Sequence, residues 1–113
     1  MERVKHKHLE PETLEAVADR FKVLAEPARL AILNALRDMP MSVTALVDET
    51  GLSQANLSKH LQVLYTHGFV SRQRHKLFVV YRLADTSVFA LCDIMCRQLK
   101  RHVAVRGHAS QAH

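Results

Sequence analysis

The chain has 113 residues, 48% of them apolar, with 16 Lys+Arg against 11 Asp+Glu and a formal charge of +5. That length suits one domain around one core and leaves no room for a two-domain enzyme. Gly51, Gly68 and Gly107 lie too far apart to form a phosphate loop, and the longest apolar run, Leu77 to Tyr81, is too short for a membrane span or a secretory signal.

Residues 1–10 are charged and His-rich and are expected to form a flexible arm. Pro11 suits a first helical position, and Leu14, Val17, Ala18, Phe21, Leu24 and Ala25 recur at steps that predict an amphipathic helix ending at Glu26. Pro27 breaks that helix and opens a second, with Leu30, Leu33 and Leu36 expected inward and Met39-Pro40 as its stop. Ser42 is an N-cap for a short helix with Val43, Leu46 and Val47 inward, closed by Gly51 in the left-handed conformation. Ser53 caps the next helix, Leu52 and Leu57 stand at the positions of a hydrophobic staple, and Leu57, Leu61 and Leu64 supply its apolar stripe. Two helices joined by a tight Gly-containing turn predict a helix-turn-helix.

From Phe69 to Arg74 and from Leu77 to Leu83, β-branched and aromatic residues replace the helical period. A hairpin with its tip at His75-Lys76 is expected, with His75 as the residue that takes a positive φ. The helical period returns after Asp85, with Val88, Cys92, Met95 and Leu99 on one seam, and the small polar stretch 104–113 reads as a flexible tail. The predicted fold is mainly α with a small β-hairpin, a winged helix-turn-helix spanning residues 11–103. The Leu14 and Val88–Leu99 stripes have no partner within this fold.

Charge is unevenly placed. Residues 1–52 hold nine acids against seven bases, whereas residues 53–83 hold no acid and carry Lys59, Arg72, Arg74, Lys76 and Arg82. A one-signed block is either a solvated face or the footprint of a polyanion, and the helix at its start favours the polyanion. With the leucines inward, Ala55, Lys59 and Gln62 fall on the far side, flanked by Asn56 and Ser58, a set of short groups able to approach base edges in a major groove. Ser53 and Gln54 sit where the helix amino terminus attracts a phosphate. His60 falls near the apolar stripe, so a packed or backbone-phosphate-contacting role stands open beside a base contact. Arg72, Arg74, His75 and Lys76 are expected to cluster at the hairpin tip, where they reach a minor groove or phosphates. Double-stranded DNA is the expected partner, with no membrane involved.

"FKVLAEPARLAILNAL" (Phe21 to Leu36) and "LSQANLSKHLQVLYTHGFVSRQRHKLFVVYRL" (Leu52 to Leu83) resemble the ArsR/SmtB family of winged-helix bacterial repressors. The likeness covers about Leu14 to Leu99. It implies a homodimer built from the first and last helices, through Leu14, Val17, Phe21, Val88, Cys92, Met95 and Leu99, that represses until an inducer releases it. Two recognition helices would then meet an inverted repeat one helical turn apart.

The resemblance also shows where inducer sites are missing. Metal-sensing members carry a Cys pair on the helix that here reads "SVTALVDE" and has no thiol; others use positions matching Asp85, Ser87, Gln98 and Arg101, of which only Asp85 is a ligand type. Two cysteines without an export signal read as reduced thiols of a cytoplasmic protein. Cys92 and Cys96, one turn apart, are either small buried hydrophobes, chelators of a soft metal or metalloid such as As(III), or a pair reactive toward oxidants or sulfur species. Arsenite would need a third thiolate from a partner chain. His6 and His8 with His102, His108 and His113 offer a rival metal site, or are spare solvated histidines. No acid pair, catalytic triad or His-Glu-x-x-His helix names an enzyme, so the competing function is a non-specific architectural nucleic-acid binder.

Overall fold

The computed structural model describes the backbone of residues 8–111 and the side chains of residues 8–103. Most of the expected arm, residues 1–7, and the last two residues of the expected tail lie outside the described residues. Pro11 opens α1 (Pro11–Leu24), with Glu12 in its first turn and Lys22 in its last, as the helix dipole favours. This helix stops two residues before the expected Glu26, because Glu26 already holds the extended backbone that a residue before proline prefers. Of its side chains only Val23 is buried; Leu14 and Phe21 stay about half exposed.

α2 (Pro27–Ala35) buries Ile32 and Leu33, and Leu36 just beyond its end. Leu30 does not point into the core as expected. Steps of three residues drift about 60° per step around a 3.6-residue helix, so Leu30, Leu33 and Leu36 cannot share one inward line, and Ile32 takes the inner place. The expected segments α3 (Val43–Thr50) and α4 (Gln54–Thr66) follow, capped by Ser42 Oγ, which accepts from the Ala45 amide, and by Ser53 Oγ, which accepts from the Asn56 amide, both at 3.2 Å. Gly51 joins them at φ 74°, where any side chain would be strained. Leu46, Leu57, Leu61 and Leu64 are fully buried between these helices.

Gly68 ends α4 in a Schellman motif: its amide donates to the Tyr65 carbonyl at 3.1 Å, and the Phe69 amide reaches back to Leu64 at 2.9 Å. Buried Phe69 packs into the core as the chain turns into β2 (Val70–His75), which pairs antiparallel with β3 (Phe78–Leu83). The hairpin turns at Lys76-Leu77, one residue beyond the expected tip, and Lys76 rather than His75 takes the positive φ, 55°. A two-residue strand, β1 (Met41–Ser42), adds to β3 and makes a three-stranded sheet in the order β1-β3-β2. Two residues, the second of them the cap of α3, carry no strand period, so this strand has no signal in the sequence.

α5 (Val88–Gln111) is longer than the seam predicts. Good helix formers such as Ala104, Arg106 and Ala109 continue the backbone beyond Val103, with Gly107 the poorest former among them. Within the seam Val88 is buried and Cys92 half-buried, while Met95 and Leu99 stand more than half exposed. Arg20 ties α1 to the base of the hairpin: its guanidinium donates to the His67 carbonyl at 3.0 Å and lies 4.3 Å from the centre of the Phe69 ring. No helix among the described residues is long and apolar enough to cross a membrane.

Candidate nucleic-acid interface

Burying Leu57, Leu61 and Leu64 on one side of α4 forces the remaining positions outward. Ser53, Gln54, Ala55, Asn56, Ser58, Lys59 and Gln62 are all exposed. None is long and apolar, so this face can approach a base edge without desolvating a hydrocarbon chain. Gln62 is held along the helix, its Nε2 donating to Thr66 Oγ1 at 3.2 Å. The first turn of α4 leaves amides free beyond the Ser53 cap, and the dipole makes that end attractive to a phosphate.

His60 is half-buried and belongs to the joint between α2 and α4. Arg29 Nε donates to its Nδ1 at 3.2 Å, and Arg29 Nη1 donates to the Val23 carbonyl at 3.2 Å. A guanidinium only donates, so Nδ1 is the acceptor of this contact. His60 thus sits half-buried against Arg29 in this joint and not on the fully exposed face of α4.

On the hairpin, strand register sorts the cations by face. Arg72 lies opposite Tyr81 and Arg74 opposite Val79, on the face that also meets α4. Together with Tyr65 these residues line a polar cleft of about 500 Å³. Arg72 does not cluster at the tip as expected: its guanidinium stacks 3.9 Å from the centre of the Tyr65 ring, and the Tyr81 hydroxyl stabilises the cation further, raising its pKa. A planar cation has more to gain from an aromatic face beside it than from bulk water at the tip. Tyr65 is a residue that sequence reasoning missed; its signal was an exposed aromatic in the last turn of a helix whose other outward positions are small or polar. His75 and Lys76 remain exposed at the tip.

The thiols lie on a different surface. Cys92 lines an open apolar groove with Phe21, Leu24, Leu30, Leu91 and Met95, and Cys96, one turn along, is exposed. Asp85, the one ligand type at the family's metal positions, is held in the turn before α5: its carboxylate accepts from the Ser87 hydroxyl and amide, with Arg20 at 3.9 Å. Those contacts, the hydroxyl first, hold it below the usual carboxylate range. Among the described residues no group of three or more His, Cys, Asp or Glu is placed to hold a metal ion. His8 and His102 are exposed; His6 and His113 lie outside the described residues, as does the side chain of His108.

Residues 26–72, from the start of α2 through the first residues of the hairpin, match the family model for bacterial regulatory proteins of the arsR family. The HTH-type transcriptional regulator NmtR of Mycobacterium tuberculosis is 39% identical over 85 residues, 75% of this chain and 71% of that protein. The chain belongs to the ArsR/SmtB family of winged-helix transcriptional repressors. Its structure resembles the crystal structure of M. tuberculosis Rv0081, with a TM-score of 0.75 at 33% identity over 87% of this chain and 98% of that one. It also resembles the homodimeric winged helix-turn-helix DNA-binding domain of Mb0332 from Mycobacterium bovis, with a TM-score of 0.70 at 31% identity over 80% and 87% of the two chains. As a member of the ArsR/SmtB family the protein is a DNA-binding regulator and not an enzyme. In that fold α4 is the second helix of the helix-turn-helix and the β2–β3 hairpin the wing.

Proposed function

We propose that the protein is a homodimeric repressor that reads an inverted repeat in the major groove through α4 and leaves it when an inducer engages Cys92 and Cys96. The observation that carries this reading is the small polar face of α4, continuous in sequence with a basic wing and without a carboxylate from Ser53 to Leu83. Dimerisation is supported by the half-exposed apolar residues of α1 and α5, Leu14, Phe21, Met95 and Leu99, which a second copy would cover. The homodimeric M. bovis relative supports the same assembly. A two-fold axis sets the two recognition helices about 34 Å apart, one turn of B-DNA.

The deciding experiment compares an inverted-repeat duplex from the gene's own promoter with a scrambled duplex at two salt concentrations. A repressor keeps an affinity ratio of about 10³ or more as salt rises. Equal affinities would make the protein an architectural binder.

The inducer reading rests on the thiols. At i and i+4 on one helix they can grip a soft metal or metalloid ion, a third thiolate coming from the second copy, or react with an oxidant or sulfur species. Replacing both (Cys92→Ser, Cys96→Ser) is expected to leave operator affinity within about twofold, since neither cysteine is near the α4 or wing surface. Release by arsenite, soft metal ions or peroxide, followed by fluorescence anisotropy, is expected to vanish. Release that persists in the double variant moves the sensor to the histidines.

A further inference from the structure

Leu77 is the apex of the wing and is 91% exposed; the adjoining Phe78 is 61% exposed. Single apolar side chains on a surface need no explanation. Here, however, two large ones stand together at the outermost point of a hairpin, directly after Arg74, His75 and Lys76. The turn is also built at a cost. Lys76 holds φ 55°, a conformation that L residues seldom adopt, to close a two-residue turn that leaves Leu77 beyond the last cross-strand pair, His75–Phe78.

We propose that Leu77, backed by Phe78, is an apolar wedge that enters the DNA minor groove and partly unstacks a base step beside the site read by α4. The inference rests on the operator-binding reading above. Charge selects the occupant: Arg74, His75 and Lys76 next to the apex suit the phosphates that line a groove. Size agrees, because a minor groove about 6 Å wide takes one side chain at a hairpin tip but not a helix. Apolar side chains inserted between base steps bend a duplex, and pyrimidine–purine steps yield most easily.

The test uses the full chain and the promoter inverted repeat with 2-aminopurine at a TA step outside each half-site, and fluorophores at the duplex ends. Wild-type binding is expected to raise 2-aminopurine emission and bring the ends closer. Leu77→Ser should remove both signals and weaken binding of the two-fold complex about a hundredfold, about tenfold for each of its two partly buried leucines less the cost of unstacking. Leu77→Met, still apolar and flexible, should retain them. Because Leu77 touches little of its own chain, each variant should keep the wild-type unfolding midpoint. Exchanging the TA step for an A-tract should weaken the wild type and leave Leu77→Ser unchanged. Tight wild-type binding with unaltered emission at every flanking step overturns the wedge alone. So does a change in self-association of Leu77→Ser without DNA, which makes the apex a contact between copies. Failure of the wild type to prefer the inverted repeat overturns the operator reading, and the wedge with it.

Discussion

Replacing Lys59 and Arg74 together by alanine is expected to lower operator affinity by about three orders of magnitude. On the two-fold complex this removes four cations; at about 1 kcal/mol for each lost contact the sum is about 4 kcal/mol, and each 1.4 kcal/mol is tenfold. Both side chains are exposed, Lys59 on the outer face of α4 and Arg74 on the α4-facing side of the wing, so neither change disturbs the core. The salt dependence separates their role from that of the polar groups. Four lost phosphate contacts should reduce the slope of log K against log salt by about 3.6, at 0.9 per contact. Gln54→Ala with Ser58→Ala should leave that slope unchanged and lower the preference for the inverted repeat, because neutral groups read bases and do not displace counterions. Titrations of both variants against specific and scrambled duplexes decide the matter; identical behaviour of the two pairs would remove the assignment of roles along α4.

Leu61→Ala should cost about 3 kcal/mol of stability and lower the unfolding midpoint by roughly 10 to 20 °C. Leu61 is fully buried on the inner side of α4, between Leu57 and Leu64, with Leu46 of α3 and Ile32 of α2 in the same core. Truncation leaves a cavity where the recognition helix meets its two supports, and a chain with total stability of about 5–15 kcal/mol has little in reserve. The same truncation at Leu77 should shift the midpoint by less than a degree or two, since that side chain buries almost nothing. A small loss at Leu61, measured by circular dichroism, would mean that α4 is held by something other than its leucine stripe.

The sequence by itself determined the parts whose causes are local. Ser42 and Ser53 had to cap helices, Gly51 had to take a positive φ, and Leu57, Leu61 and Leu64 had to share one buried face, because capping, backbone sterics and a 3.6-residue period each act within a few residues. The outward polar face of α4 and the basic, acid-free block followed from the same periodicity. Tertiary structure decided what depends on a neighbour brought from elsewhere in the chain. Only the packing of α2 on α4 sets Arg29 against His60, 31 residues away; only strand register lays Arg72 on Tyr65 and not at the tip. The pairing of Met41–Ser42 with β3 likewise depends on which surfaces meet. Local propensity carries no record of a contact whose two halves lie tens of residues apart, because the energy of that contact exists only once the core has closed.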